Sequence, residues 1–345
     1  MKTYLFYISQ NYSFAILRPV QTRLWRRGDK VYWFFEGSEV NPAFLLPDEK
    51  RVHSIAQIQS LKPDAVLAPA NKIPTFIPGL KVGVFHGFDA GKADNRGNND
   101  HFKVRGCFDL YCTQGPSTTR VFKRLQQSHG YFNVIETGWP ALDPLFTTSP
   151  STQQDKPTVL FCSTFSKRLS SAAHLHPIIE RISRQQDWNW LIQFHPKMDR
   201  QTVARYRSIQ HQHLTVVDTD NIIPLLQRAD VMLCDTSSVI SMFIVQQKPV
   251  VTYRNICPGA HLINIDDSAL IESSIERALS RPSALMANIE KHVNELHPLR
   301  DGQSAQRVVE AIDDVLAGKH PLSKTKPANV IRNLTFRKKL GYWGL

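Results

Sequence analysis

Residues 231–253 read VMLCDTSSVISMFIVQQKPVVTY and hold the elements of one strand, helix and strand unit. The apolar runs Val231–Cys234 and Val250–Tyr253 have the length of buried strands, and the second is also rich in β-branched residues. Between them, a cluster of hydroxyl residues precedes an apolar segment, as at the start of a helix. Two strands connected by a helix pair in parallel, so this stretch predicts an α/β fold.

Short apolar runs alternate with helical segments on both sides of this unit. Such alternation is typical of parallel sheets covered by helices. We therefore predict two Rossmann-like domains that face each other across a ligand cleft. The further strands are expected at Thr3–Ser9, Val31–Phe35, Ala65–Ala68, Val82–Phe85, Leu110–Thr113, Val134–Glu136, Thr158–Cys162, Trp190–Phe194 and Leu214–Val217. The helices are expected at Phe14–Trp25, Ile55–Leu61, Ser117–Gln127, Ser268–Leu279 and Gln303–Leu316.

The domain boundaries follow from local composition. The stretch 143–157 (DPLFTTSPSTQQDKP) is rich in Ser, Thr and Pro, which is typical of a linker. We expect an N-terminal acceptor-side domain at 1–150, a C-terminal nucleotide-donor domain at 151–318 and a basic tail at 319–345. The tail either lies against anionic lipid headgroups, or is disordered or packed across the domains.

The 345-residue chain has the composition of a globular protein, and its net charge of +12 favours anionic partners such as phosphates, nucleic acid or an anionic membrane surface. No apolar run reaches the roughly 18 residues that span a bilayer, and the N-terminus lacks a signal-peptide pattern. We therefore expect a cytoplasmic protein. The five cysteines lack CxxC spacing, so we expect buried thiols without a disulfide framework or a structural zinc.

Two histidines follow predicted strands. His86 begins the motif HGFDAGK, and His195 lies in FHPKMD. A neutral imidazole at the carboxyl end of a strand can accept the proton of an attacking hydroxyl, or donate a hydrogen bond to a phosphate. Gly87 lets the backbone approach a ligand, and Lys92 adds a positive charge. The residues leave open which histidine is the base, and a turn or surface histidine explains each motif as well.

Hydroxyl groups follow the strand Val231–Cys234. Asp235, Thr236, Ser237 and Ser238 come directly after it and precede the apolar helical segment. Backbone N–H groups and hydroxyls at the start of a helix bind oxyanions, so this segment predicts a phosphate site. Simple capping of the helix is the structural alternative.

A second segment of this kind, CSTFSKR, overlaps the end of the strand Thr158–Cys162. Its residues Ser163, Thr164, Lys167 and Arg168 combine hydroxyl groups with two cations, which suits a diphosphate. A solvated loop has the same composition, so this alternative stays open.

Taken in order, the motifs HGFDAGK, TQGP, GWPALD, CSTFSKR, FHPKMD, CDTSSVISMFIVQQKPVV and DGQSAQRVV resemble the CDP-glycerol glycerophosphotransferase family, which includes teichoic-acid primases and polymerases. The resemblance spans about residues 80–315. It implies a GT-B architecture and CDP-glycerol as the donor. It further implies transfer of glycerol phosphate to an acceptor hydroxyl, with release of CMP, on the cytoplasmic face of the membrane.

The resemblance also implies roles for individual residues. His86 matches the family's proposed base, and His195 matches the histidine that is thought to contact the donor diphosphate. The family's Asp-x-Ser-Ser phosphate seat matches Asp235, Ser237 and Ser238, with Asp235 as the acid.

Toward the C-terminus, Asp301 and Gly302 match a late Asp-Gly pair of the family. From the local sequence, Asp301 or Ser304 would cap the closing helix. Two segments depart from the family pattern. A serine stands where an arginine commonly follows the Thr-aromatic pair, and GWPALD has Ala141 and Leu142 in place of a polar pair.

These observations predict an enzyme that moves glycerol phosphate to a hydroxyl of an envelope polysaccharide or lipid-linked glycan. His86 would deprotonate the acceptor, and donor-side cations and hydroxyls would stabilise the leaving CMP without a metal or cofactor. The alternative is a GT-B glycosyltransferase or nucleotide-sugar epimerase that uses a UDP- or CMP-linked sugar. A catalytically inactive scaffold is a further alternative. Nucleic acid is not an expected partner, because no nucleic-acid-binding signature is present.

Overall fold

The computed structural model describes residues 1–89, 99–147, 155–219 and 221–344. The chain forms two compact α/β units. The first comprises Met1–Thr147 together with His297–Leu345, and the second comprises Thr148–Leu296. Each unit contains one sheet whose neighbouring strands pair in parallel, as predicted from the alternation of strands and helices.

Thirteen strands lie in the described residues: β1 (Thr3–Ile8), β2 (Lys30–Phe35), β3 (Lys50–Val52), β4 (Ala65–Ala68), β5 (Leu80–Gly83), β6 (Leu110–Thr113), β7 (Asn133–Glu136), β8 (Thr158–Ser163), β9 (Asn189–Phe194), β10 (Leu214–Val216), β11 (Val231–Cys234), β12 (Val250–Tyr253) and β13 (Ile263–Ile265). The described α-helices are α1 (Ser13–Arg26), α2 (Ile55–Leu61), α3 (Pro116–His129), α4 (Asp143–Thr147), α5 (Ala172–Gln185), α6 (Arg200–Ser208), α7 (Ile223–Arg228), α8 (Val239–Ile244), α9 (Ile271–Leu279), α10 (Ser283–Leu296), α11 (Ser304–Leu316) and α12 (Val330–Leu340). Short 3-10 turns lie at Pro42–Phe44, Asp100–Phe102, Pro140–Leu142 and Ser268–Leu270.

In both sheets, the direction in which successive strands are added reverses at an inner strand. The first has the order β3-β2-β1-β4-β5-β6-β7, and the second has the order β10-β9-β8-β11-β12-β13. The switch points therefore lie between β1 and β4 and between β8 and β11. Open α/β sheets bind ligands outside the carboxyl ends of the strands at such points, so the loops after these four strands are the places to search for a site.

The sequence explains the local elements. Five successive residues of β1, from Tyr4 to Ile8, are buried, and so is every residue of β8. Near-continuous burial is expected when helices cover both faces of a parallel sheet. Helix α2 begins after Ser54, whose hydroxyl accepts from the Gln57 amide at 3.2 Å while the Gln57 side chain accepts from the Ser54 N–H. This reciprocal pair satisfies two N–H groups at the start of the helix.

Some predicted boundaries were wrong. β5 ends at Gly83 and not at Phe85, because Phe85 has a φ of +55° and cannot extend the strand. β3 and β13, of three residues each, were not predicted. Four cysteines are buried as expected, but Cys257 is exposed.

The segment predicted as a linker begins with a helix. Residues 143–147 form α4, whereas 148–154 lie outside the described residues. The Asp143 carboxylate is buried and accepts hydrogen bonds from the N–H groups of Ser304 at 2.9 Å and Ala305 at 2.8 Å. The cap of α11 is therefore Asp143, and neither Asp301 nor Ser304 caps the helix with its side chain.

Residues 297–318 group with the first unit, which differs from the predicted domain 151–318. Besides the Asp143 cap, His297 Nε2 accepts from the Trp139 N–H at 2.9 Å. The buried apolar residues of α11, among them Val308 and Ile312, pack where α11 meets α1 and the turn at Pro140–Leu142. Burial of this face fixes the chain's return to the first unit.

The basic tail packs on the first unit. Lys326 forms an ion pair with Asp109 at 2.5 Å, Asn333 accepts a hydrogen bond from the Thr75 N–H at 3.2 Å, and Phe336 is buried. Most of the predicted tail thus belongs to the fold of this unit, and α12 is one of its helices. Within the described part of the chain, no helix has both the length and the apolar composition to cross a bilayer.

Candidate active site

The predicted phosphate residues lie at the switch point of the second sheet. Cys162 of β8 and Cys234 of β11 are paired in register, so the segments that follow them leave neighbouring strand ends. Ser163 is the last residue of β8 and Thr164 follows it, and the segment 235–238 follows β11. The sequence pattern predicts these residues at the ends of their strands, and the register of the sheet brings the two segments together.

Asp235 organises this strand edge from a fully buried position. One carboxylate oxygen accepts from the Thr164 N–H at 2.9 Å. The other accepts from the Ser171 N–H at 3.0 Å, from the Ser171 hydroxyl at 3.1 Å and from the Ser163 hydroxyl. A buried carboxylate with four donors is well satisfied. We interpret Asp235 as the residue that shapes the loop after β8.

Asn255 completes this arrangement and was not singled out from the sequence. Its side-chain N–H donates to the Asp235 carbonyl at 2.9 Å, and its side-chain oxygen accepts from the Cys257 N–H at 2.8 Å. The Ile256 N–H donates to the Thr236 hydroxyl at 3.1 Å. The loop after β12 is thereby tied to the segment after β11. The only signal for Asn255 in the sequence was its position after the predicted strand Val250–Tyr253.

Ser237 and Ser238 differ from Thr236 in exposure. Thr236 is buried, Ser237 is half-buried and Ser238 is exposed. Helix α8 begins immediately afterwards, and Ser238 makes no side-chain capping hydrogen bond. Helix capping therefore does not account for Ser238, whose hydroxyl is accessible to a ligand.

The loop after β8 carries two exposed cations. Lys167 and Arg168 are both exposed, whereas Ser163 is buried and its hydroxyl lies 2.9 Å from that of Ser170. The N–H groups of Leu169 and Ser170 donate back to the Ser166 carbonyl and close a tight turn. The buried hydroxyls hold the loop, and the two exposed cations are accessible to an anion, although the charge of Lys167 also acts on the Asp199 carboxylate.

His195 follows β9, the neighbour of β8 in the sheet. Its Nδ1 accepts a hydrogen bond from the Lys197 N–H at 3.0 Å. Burial and the charge of Lys197 lower the pKa of His195. The neutral ring therefore carries its proton on Nε2, which makes Nε2 a hydrogen-bond donor. The Phe165 ring lies 4.5 Å from the imidazole, measured between centroids.

In His86, Nδ1 faces a hydrogen-bond acceptor and not a donor. Its Nδ1 lies 3.3 Å from the carbonyl oxygen of Pro69, which follows β4 at the switch point of the first sheet. A carbonyl only accepts, so this contact is a hydrogen bond only if Nδ1 carries the proton. Nε2 then keeps its lone pair. The ring is exposed and lies 6.1 Å from that of Tyr12, which follows β1.

The backbone around His86 is held in an unusual conformation. Phe85 is a buried, non-glycine residue in the left-handed region, which costs roughly 1 to 2 kcal/mol. The Gly87 carbonyl accepts from the Gln114 side-chain N–H at 2.6 Å. Lys92, the last residue of the predicted motif, lies outside the described residues.

Asp301 and Gly302 belong to the first unit, at the start of α11. Asp301 is paired with Arg307, and hydrogen bonding to Arg307 lowers the pKa of Asp301. Gly302 has a φ of +67°, and a Cβ there would meet Thr147 Cγ2 at 2.2 Å. We interpret both residues as structural, since they hold the segment before α11 within the first unit.

The departure at GWPALD has a structural explanation. Ala141 and Leu142 are buried in the 3-10 turn between Trp139 and α4. Apolar side chains suit this position, because it belongs to the core of the first unit. Within the described residues, no cluster of three or more His, Cys, Asp or Glu side chains could hold a metal ion.

A protein-family model matches the segments that carry most of the candidate residues. This family is described as CDP-Glycerol:Poly(glycerophosphate) glycerophosphotransferase. Residues 86–257 match this glycerophosphotransferase family. The match begins at His86 and includes the segments after β8, β9, β11 and β12. The resemblance drawn from the motifs is therefore confirmed. No curated protein matches the sequence.

Solved structures share the fold. The wall teichoic acid polymerase TagF is 13% identical, with a TM-score of 0.66, and the alignment covers 92% of this chain and 89% of that one. S. aureus MnaA with UDP is 13% identical, with a TM-score of 0.64 and coverage of 92% and 97%. A UDP-N-acetylglucosamine 2-epimerase is 15% identical, with a TM-score of 0.60 and coverage of 95% and 99%. Identities this low establish the GT-B fold alone.

The two kinds of similarity have different weight. The fold is shared by a polymerase and by epimerases, so it does not select a reaction. The family match selects a transferase of the glycerophosphotransferase type.

Proposed function

We propose that this protein transfers glycerol phosphate from CDP-glycerol to a hydroxyl of an envelope polysaccharide or lipid-linked glycan, and releases CMP. The family match over residues 86–257 supports the reaction type. A structure of TagF soaked with CDPG, 12% identical with a TM-score of 0.63, supports the donor. The proposal covers a single transfer or several.

The observation that carries the proposal is the contrast between the two histidines. The Pro69 carbonyl favours a proton on His86 Nδ1, which leaves a lone pair on Nε2. The Lys197 N–H occupies His195 Nδ1, which leaves a proton on Nε2. A base needs a lone pair, and a group that binds a phosphate needs a proton. We assign His86 as the base and His195 as the donor of a hydrogen bond to the diphosphate.

The proposed step is an in-line displacement at the β-phosphorus. The acceptor oxygen forms the new P–O bond while its proton passes to His86 Nε2. The bond from the β-phosphorus to the bridging oxygen breaks, and CMP leaves with that oxygen and the electron pair. Hydrogen bonding by His195 stabilises the developing charge.

Accessible cations and hydroxyls of the second unit supply the rest of the donor site. Lys167, Arg168 and Ser238 are exposed, and Ser237 is half-buried. Two positive charges offset a diphosphate, and hydroxyl groups add directional hydrogen bonds. Asp235 contributes by holding the loop and does not contact the donor in this proposal.

The test is turnover of a panel of donors. Purified protein is incubated with CDP-glycerol, CDP-ribitol or UDP-GlcNAc, with and without an envelope glycolipid extract, and released CMP and UDP are measured. We expect CMP from CDP-glycerol only when the extract is present, and loss of this signal in His86→Ala. His53→Ala, at an exposed histidine of the same unit, is the matched control. Release of UDP alone would favour a glycosyltransferase or epimerase instead.

We further propose that the enzyme works at an anionic membrane surface on the cytoplasmic side. Val330, Ile331 and Trp343 are 62%, 83% and 63% exposed, which is unusual for large apolar residues. Lys338 and Lys339 lie on the same helix, α12, as Val330 and Ile331 and are also exposed, and Lys339 is paired with Glu36. Exposed apolar side chains together with cations are typical of surfaces that bind anionic lipid.

A further inference from the structure

The turn that carries His86 is held from both sides by side chains distant in sequence. The Trp139 indole N–H donates to the Phe85 carbonyl at 3.3 Å. The Gln114 side-chain N–H donates to the Gly87 carbonyl at 2.6 Å. The two carbonyls that flank His86 are thus both fixed. The left-handed conformation of Phe85 requires such support, because an unrestrained chain would leave it.

Gln114 stays in this position at a cost. It is fully buried, and its side-chain oxygen has no hydrogen-bond partner among the described residues. A buried polar atom without a partner is destabilising, so an apolar side chain of similar size would suit the core better. The role that an apolar side chain cannot fill is donation to Gly87.

We propose that Gln114 is a positioning residue for His86, with Trp139 as a second clamp on the same turn. The inference rests on the proposed role of His86 as the base. With both carbonyls fixed, the imidazole keeps one orientation toward the acceptor hydroxyl. Small displacements of a reacting group reduce the rate strongly, which makes a rigid turn valuable for catalysis.

The first variant is Gln114→Met, which keeps the volume and removes the donor. We expect kcat to fall about 10- to 100-fold while KM for CDP-glycerol stays within about twofold. The matched control is Gln21→Met. Gln21 is also buried in the first unit, where it donates to Glu49 at 2.8 Å and accepts from Trp33 at 2.7 Å. A general loss of buried hydrogen bonds would reduce kcat in both variants, and the proposal predicts loss in Gln114→Met alone.

Trp139→Phe is the second variant, in case Gln114→Met does not fold. It removes the indole N–H and keeps a ring against Phe88, whose centroid lies 5.3 Å away. We expect the same pattern with a smaller loss of kcat, about three- to tenfold, because the carbonyl at 3.3 Å is held less closely. An unchanged kcat in whichever variants fold overturns the proposal.

A double variant separates this inference from the proposed function. In the His86→Ala background, Gln114→Met should cause no further loss of residual turnover, because Gln114 acts through His86. A further loss of tenfold would overturn the positioning role. Full activity of His86→Ala would overturn the base assignment itself. Loss in His86→Ala together with normal kcat in Gln114→Met would overturn only the inference about Gln114.

Discussion

At the scale of single residues, one backbone contact to each histidine separates their chemistry. Pro69 offers a carbonyl to His86 Nδ1, and Lys197 offers an N–H to His195 Nδ1. The sequence placed both histidines at strand ends but gave no means to assign their roles, because a tautomer depends on the neighbouring backbone groups.

Amide substitutions test this assignment. A glutamine at position 195 retains an N–H donor but cannot take up a proton at neutral pH, so His195→Gln should keep kcat within about tenfold of the wild type. His86→Gln removes the base and should lower kcat by about 100- to 10,000-fold. Steady-state kinetics of CMP release distinguishes the two. Similar losses in both variants, or the reverse order, would contradict the roles assigned here.

Asn255 and Gln114 could not be predicted from the sequence, because their roles depend on contacts between loops that are distant along the chain. Asn255 meets Asp235, and Gln114 meets Gly87, because parallel pairing brings the ends of neighbouring strands together across 20 and 27 residues of chain. Strand ends can be predicted from apolar runs, whereas the contacts between the loops that follow depend on strand order. That order is fixed by tertiary packing.

At the scale of elements, the N-terminus of α11 depends on a carboxylate from another segment. Asp143 accepts from two N–H groups at the start of this helix. Asp143→Ala should lower the free energy of unfolding by about 2 kcal/mol, because two buried donors lose their partner. Asp314→Ala removes a half-buried surface carboxylate, paired with Lys319, from the same helix and should cost less than about 0.5 kcal/mol. Equal effects in urea titrations would refute the capping role.

The segment that leads into α11 also predicts a dependence on pH. Burial lowers the pKa of His297 to about 4, and its Nε2 accepts from the Trp139 N–H. Between this value and the ordinary value of 6.5, the unfolded chain binds the proton and the folded chain does not, so stability falls as the pH falls. Acidification to about pH 5 should cost about 2 kcal/mol through His297.

His297→Gln isolates this contribution, because the amide oxygen can still accept from Trp139 while the side chain does not titrate. Urea titrations at neutral pH and at about pH 5 should show a smaller loss of stability in the variant, by about 2 kcal/mol. An equal loss in both proteins would show that His297 is not protonated on unfolding in this range.

The elements themselves were largely predictable. Long apolar runs located β1 and β8, and the capping pattern located α2. The composition of 143–157 predicted a loop throughout, yet 143–147 form a helix that supplies the α11 cap. Composition averages over a segment, whereas a single buried carboxylate with two donors is enough to order its first turn.

At the scale of the whole molecule, helix α12 of the basic tail is the surface that we expect to contact an anionic membrane. Ile331 and Lys338 are exposed on α12, so changing them should leave the fold intact. Ile331→Ser with Lys338→Gln should lower binding to vesicles containing about one third anionic lipid by about tenfold. The control pair, Leu270→Ser with Lys291→Gln, alters exposed residues of the second unit. Equal sedimentation of both variants with the vesicles would exclude α12 as the contact surface.

The central claim is transfer of a phosphoryl group, and the fate of the donor's β-phosphorus tests it most directly. CDP-glycerol labelled at this atom is incubated with the enzyme and an envelope glycolipid extract, and the label is followed in the acceptor and in the released nucleotide. Attack at phosphorus predicts a labelled acceptor and unlabelled CMP. Label that remains with the nucleotide as CDP would place the attack on a carbon of the glycerol and would contradict the account.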